Sequence, residues 1–203
     1  MNIAKTAILH PDVTLGENCI VEDFCIIGVP VPGQPNLPTV IGKNAHIRSH
    51  TVIYAGNKIG DHFSTGNKAN IRELNHIGHH VSIGTLSVVE HHILIEDHVR
   101  IHTQAFIPEH TILRQGCWIG PNVVMTNAKY PCSPNVKNEL KGPTIGQNAI
   151  VGANVTILPG VCVAEDSLIA AGSLVAHHTT QNGVYQGSPA KIVKQKKDIH
   201  HYV

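Results

Sequence analysis

A chain of 203 residues is long enough for one large domain, or one domain with a small appendage. Its net charge of +1 with neutral histidines provides no strong pull toward nucleic acid or an anionic membrane surface. Only 4% of the chain is aromatic and 14% charged, against 18 glycines, which points to a thin, regularly layered core.

The first residues, MNIAKTAILHP, hold no sustained apolar run and read as neither a signal peptide nor a membrane anchor. Cys19, Cys25, Cys117, Cys132 and Cys162 form no C-x-x-C pair, and an odd count argues against a disulfide framework. A cytoplasmic location is expected. Sixteen histidines require that metal binding be considered.

From Ile3 an aliphatic residue recurs every sixth position: Ile3, Leu9, Leu15, Val21, Ile27. The phase breaks at GVPVPGQPNLPT, a Pro-rich stretch expected to be an extruded loop. It resumes at Ile41 and holds through Met125, with Thr65 the only member that is not aliphatic. A second break, AKYPCSPNVKNELKGP, precedes a last run of Ile145, Val151, Ile157, Val163, Ile169 and Val175. The fourth residue after each aliphatic is often small or apolar, as at Ala45, Val81, Ala105 and Cys117. Glycine often follows the aliphatic directly, as at Gly66, Gly84, Gly120 and Gly152. Such glycines suit corners where a side chain would clash or φ is positive.

A period of six is neither helical nor a simple strand alternation. It fits an all-β solenoid in which each hexad supplies a short strand and a corner. Three hexads close a triangular coil, and coils stacked ~4.8 Å apart build three parallel sheets. The expected organisation is a helix of about eight to nine coils over residues 1–180, with loops at 28–40 and 128–144 and a C-terminal extension at 181–203.

Residues one coil apart should stack in columns. His62, His80 and His98 form one; Glu73, His91, Glu109 and Asn127 another; His92 and His110 a third. His102 shares a column with Arg48, Gly66, Gly84 and Gly120, which suggests a single imidazole in an open bay between glycines. Gln104 lies two residues on. A neutral imidazole can accept a proton near pH 7 and a side-chain amide can donate to an oxyanion.

This pattern resembles the hexapeptide-repeat, left-handed β-helix family of acyltransferases over nearly the whole chain. The resemblance implies left-handed coils and a homotrimer with active sites between subunits. Trp118-Ile119-Gly120-Pro121, Thr126-Asn127, Gly152-Ala153-Asn154 and GSPAK are similar to the nucleotide-sugar N-acyltransferases of surface-polysaccharide biosynthesis. That likeness implies an acyl-CoA co-substrate (acetyl-CoA or 3-hydroxybutyryl-CoA), no permanently bound cofactor and no metal. It implies that His102, Thr103 and Gln104 face the amino sugar, with Glu90, His91 and Asn127 as further substrate contacts. Acyl transfer from a thioester needs a proton acceptor and an oxyanion donor, and His102 and Gln104 are the expected catalytic pair. Acyl-CoA would lie along Trp118, Gly120, Gly152, Ala153, Ala171, Gly172 and Ser173, with Lys191 meeting phosphate.

Sugar O-acetyltransferases of this fold carry a histidine directly after the Thr-Asn pair, where this chain has Ala128. Alternatives are such an O-acetyltransferase, a lipid-A-type acyltransferase, a γ-class carbonic anhydrase, or a solenoid without chemistry. The carbonic anhydrase places two metal histidines five residues apart, a spacing absent from this sequence.

Overall fold

The computed structural model describes residues 1–34 and 37–202. Almost every hexad forms a two-residue strand followed by a corner. Among the described residues the strands assemble into three sheets of 11, 9 and 8 strands. All neighbours are parallel except the last pair of the first sheet. The chain is therefore a left-handed β-helix with a triangular cross-section, eight coils of which complete all three faces.

Register follows the hexad phase. On the first face Ile83 pairs with Ile101 and Ile101 with Ile119; on the second, Val89 pairs with Ile107; on the third, Ile95 pairs with Leu113. Residues 35 and 36 of the expected 28–40 loop lie outside the described residues; the coils before and after each loop keep this order. Leu15 pairs with Ile41 across the first and Ile119 with Val151 across the second.

The core is the stacked aliphatic column itself, from Val21 through Val175, with the small corner residues Ala45, Val81, Ala105 and Cys117 buried between the sheets. Cys19, Cys25 and Cys117 are fully buried and unpaired. Thr65, the polar member of the column, is also buried. Its hydroxyl meets that of Thr51 at 3.0 Å and accepts the Arg48 N–H at 3.0 Å, so it leaves no orphan group.

The expected role of the glycines divides. Those directly after the aliphatic are required by close stacking of coils, not by positive φ. A Cβ on Gly84 would lie 2.4 Å from the His102 carbonyl carbon, and one on Gly120 would lie 2.8 Å from that of Gly152. The left-handed conformation falls two residues later and is carried mostly by non-glycine residues, among them His62, Lys68, Leu86, His92 and Gln104, and at a few corners by Gly56, Gly116, Gly160 and Gly172. Backbone bonds between corners, such as Gln104 N–H to Thr85 O at 2.9 Å, hold them there.

The end of the chain departs from a simple tail. Gly183–Gly187 adds one more parallel rung to the first face, then turns into an antiparallel hairpin with Ala190–Gln195. Among the described residues no helix is long and apolar enough to cross a membrane.

Candidate active site

The prism has three edges, and the expected site residues fall on two of them. His102, Thr103 and Gln104 form the corner between Arg100–Ile101 on the first face and Phe106–Ile107 on the second. Glu90, His91, Glu109 and Asn127 lie on the edge between the second and third faces. One chain does not bring the two groups together. They do sit at the same height, since residues 102 and 109 belong to a single coil.

The first edge holds a groove of about 260 Å³ lined by Arg48, Gly66, Gly84, Arg100, His102 and Thr103, among others. His102 is not isolated in an empty bay. Its ring rests on Trp118 of the next coil, with centroids 4.5 Å apart and planes tilted by 53°. Its Nε2 is covered and has no hydrogen-bond partner. Burial, then the Arg100 guanidinium, lowers its pKa and keeps the ring neutral near pH 7. Thr103 and Gln104 are exposed beside it.

Above His102 the same edge carries the residues expected along acyl-CoA. Gly120 and Gly152 stack directly, while Ala171 and Gly172 are exposed and Gly172 has open space where a side chain would project. Ser173 is buried, and its hydroxyl accepts the Gly187 N–H at 3.2 Å. It anchors the terminal hairpin instead of facing the track. Lys191 is exposed on that hairpin, opposite Gln186.

The edge between the second and third faces is densely paired. Arg72 Nε and Nη2 donate to both oxygens of Glu73 at 2.8 and 3.0 Å, and its Nη1 lies 3.6 Å from Glu90. The Arg72 guanidinium also covers the Tyr54 ring at 5.0 Å. Glu73 is buried, which pushes its pKa up, but the fork of Arg72 prevails and holds it below the usual carboxylate range. One coil on, His91 Nε2 contacts Glu109 Oε1, and Asn127 Nδ2 donates to Glu109 Oε2 at 3.5 Å. The Nδ1 atoms of His91 and His92 are 2.7 Å apart.

Sequence reasoning missed what braces this edge. Asn57 and Asn75 are completely buried. Asn57 Nδ2 donates to the carbonyls of Tyr54 and Arg72, and Asn75 Nδ2 to that of Arg72. Their Oδ1 atoms accept the N–H groups of Asn75 and Ile93 at 3.1 and 2.8 Å. The signal was two asparagines one coil apart at the inward corner position.

The third edge carries the expected histidine column. His62, His80 and His98 stack nearly parallel at 4.5 and 4.9 Å. Among the described residues no group of three or more His, Cys, Asp or Glu is arranged to hold a metal.

Residues 142–177 match the family model described as bacterial transferase hexapeptide (six repeats). The chain is 36% identical over 83 residues to galactoside O-acetyltransferase of Lactococcus lactis, covering 39% of this chain and 40% of that protein. It is 33% identical over 94 residues to galactoside O-acetyltransferase of Escherichia coli, covering 41% and 44%. The chain spans less than half the length of these curated relatives. Among solved structures it resembles a Francisella novicida UDP-N-acetylglucosamine acyltransferase with a TM-score of 0.64, at 16% identity over 97% of this chain and 71% of that one. That likeness is one of fold.

Proposed function

Because the chain is a hexapeptide-repeat protein, we propose that it is an acyl-CoA-dependent N-acyltransferase acting on the amino group of a nucleotide-linked amino sugar. It works in the cytoplasm as a homotrimer, with acetyl-CoA or 3-hydroxybutyryl-CoA as donor. The observation that carries this reading is the alignment of one edge. His102, Gly120, Gly152, Ala171 and the hairpin bearing Lys191 succeed one another along it. From the Arg100–Ile101 rung to the Val184–Tyr185 rung there are four steps, or roughly 19 Å at ~4.8 Å each. An extended pantetheine arm laid there would set its thioester near His102 and its phosphates near the lysines.

The amine nitrogen bonds to the thioester carbon while Gln104 donates to the developing oxyanion; the carbon–sulfur bond then breaks, and the proton shed by nitrogen passes by way of His102 to the departing thiolate. The covered Nε2 of His102 gains a partner once substrate draws the ring off Trp118. Glu90, His91 and Asn127 lie at the same height on another edge, so side-by-side packing of subunits would let neighbouring chains share one cleft.

A sugar O-acetyltransferase is the second reading, favoured by the names of the two curated relatives. Ala128, where the resemblance puts a histidine in such enzymes, favours the amine.

The test is thiol release from acetyl-CoA and 3-hydroxybutyryl-CoA with a panel of dTDP-, UDP- and GDP-linked amino sugars, beside galactosides as hydroxyl acceptors. Release with one amino sugar and none with galactosides supports the first reading. The reverse result establishes the second.

A further inference from the structure

The groove at His102 also runs toward the N-terminal coils, away from the proposed acyl-CoA track, and there it is bounded by two arginines. Three steps of the first face lead from His46 to Ser64, to Ser82 and to Arg100, or roughly 14 Å at ~4.8 Å each. Arg48 stands at the lower end of this interval and Arg100 at the upper, both exposed and both lining the groove. Between them the floor is Ser64, Gly66, Ser82 and Gly84. No long side chain of these two rungs separates the two guanidinium groups.

Both cations have capacity to spare. Among the described residues no carboxylate lines the groove, and Arg100 forms no ion pair. Arg48 Nη1 lies 3.9 Å from Glu22 Oε1. That oxygen already contacts His46 Nε2 at 2.7 Å, and the other accepts from Ser49. The backbone N–H groups of Gly66 and Gly84 are spent on the carbonyls of Ile83 and Ile101 at 2.7 and 2.8 Å. The floor therefore donates through side chains, the hydroxyls of Ser64 and Ser82, which alternate with buried Thr65 and Ile83 and so face outward. A carboxylate or a single phosphate has one charged centre, enough for one guanidinium fork. Two forks facing each other along a groove suit two charged centres in series.

We propose that Arg48 and Arg100 bind the diphosphate of the nucleotide-linked acyl acceptor across the hydroxyls of Ser64 and Ser82. The site itself requires only an organic diphosphate; its assignment to the acceptor rests on the acyl-transfer reading above. The acceptor then approaches His102 from the N-terminal side and acyl-CoA from the C-terminal side, so the two meet end to end at one imidazole. Arg48 and Arg100 are binding residues and touch none of the reacting atoms. Occupancy also reports to the ring. Arg100 opposes a charge on His102, and an anion seated on Arg100 offsets that effect, so His102 should titrate at higher pH in the filled site.

The test is isothermal titration calorimetry on the full chain, with inorganic pyrophosphate, UDP, GDP, dTDP and CoA as separate probes. Pyrophosphate and at least one nucleoside diphosphate should bind, more weakly as salt rises. Arg48→Gln and Arg100→Gln should each raise those Kd values on the order of 10-fold, the scale of losing one hydrogen bond between charged groups. Arg48→Lys keeps the charge but not the fork and should recover part of the loss. CoA should bind Arg48→Gln as it binds wild type. Ring NMR should show His102 titrating at higher pH with saturating pyrophosphate in wild type, and no such move in Arg100→Gln. With the amino sugar that the thiol-release panel identifies, Arg48→Gln should raise KM on the order of 10-fold with kcat little changed.

An equal loss of CoA affinity in Arg48→Gln would hand the diphosphate to the acyl donor and overturn its assignment to the acceptor. Pyrophosphate and nucleoside diphosphates that fail to bind wild type, or bind both glutamine variants as tightly, overturn the site, and thiol release in the panel then leaves the acyl-transfer reading standing. Diphosphate binding lost in the variants, with no thiol release from any acceptor, keeps the site and overturns that reading, and with it the assignment to an acyl acceptor.

Discussion

His102 and Trp118 lie one coil apart on the same edge, and the imidazole sits on the indole with its Nε2 covered and unpaired. A buried nitrogen without a partner costs free energy, so this contact holds the ring in a neutral, poorly solvated state that a substrate atom would relieve.

The charge state of that ring is measurable. Burial and Arg100 lower the folded pKa of His102 below the unfolded value of about 6.5. The unfolded chain then binds more protons, so this residue's contribution to stability begins to be lost as pH falls through about 6.5 and continues to fall down to the folded pKa. Arg100→Gln should raise the folded pKa and shrink that loss. A ring titration by NMR, with urea melts at pH 7 and pH 5.5, checks both. An unchanged titration in Arg100→Gln would show that burial alone sets it.

Gly84 tests the stacking of coils beneath the same corner. Adding a methyl there meets the carbonyl carbon of His102 and the nitrogen of Thr103 at 2.4 Å, both backbone. Neither can swing away, so Gly84→Ala should destabilise by about 1–3 kcal/mol, as overpacking does. Gly172→Ala meets nothing, and pays only for its φ of 72°, about 1 kcal/mol. Paired urea melts should rank them in that order.

Glu22 joins two coils near the beginning of the helix. Its oxygens accept the Ser49 N–H at 3.0 Å, His46 Nε2 at 2.7 Å and the Ser49 hydroxyl at 2.9 Å. Together these hold its pKa at about 2. A lowered carboxylate pKa stabilises the fold above the unfolded value of about 4.3, and that stability is lost as pH falls toward 2. Glu22→Gln should lower the Tm at pH 7, and the difference from wild type should shrink progressively between pH 5 and pH 2 in thermal melts.

The buried asparagines give the largest expected mutational effect on the second edge. Asn75→Leu leaves the Ile93 N–H without its acceptor and removes one donor to the Arg72 carbonyl, in a fully enclosed corner. A loss of about 2–3 kcal/mol is expected from one stranded backbone group. The same variant should disturb the Arg72–Glu73 fork just outside it, visible as a changed Arg Nε–H resonance.

The fold was legible because every hexad repeats one physical requirement, an aliphatic pointing inward beside a small corner residue. Two dozen repetitions of that requirement leave little room for another period. Columns were legible for the same reason, which is why the His62–His80–His98 stack and the His91–Glu109–Asn127 ladder could be read from spacing. What spacing did not carry was direction. Column membership cannot say that the His102 ring folds down onto Trp118, or that His91 turns its two nitrogens toward different partners. Nor did it reveal that Glu90 and His91 belong to a different edge from His102. That follows from counting corners within a coil as well as coils along the axis.

The rise per coil, met above only as a spacing between strands, also acts as a ruler. Between the His102 rung and the terminal hairpin the chain inserts a fixed number of coils, and a donor laid along that edge would be measured in units of one coil. Each coil added or removed there changes the gap by ~4.8 Å while leaving every corner and column in phase. If the proposed donor lies along that edge, whole-coil duplication would change the length it accommodates while keeping the corners at either end in phase.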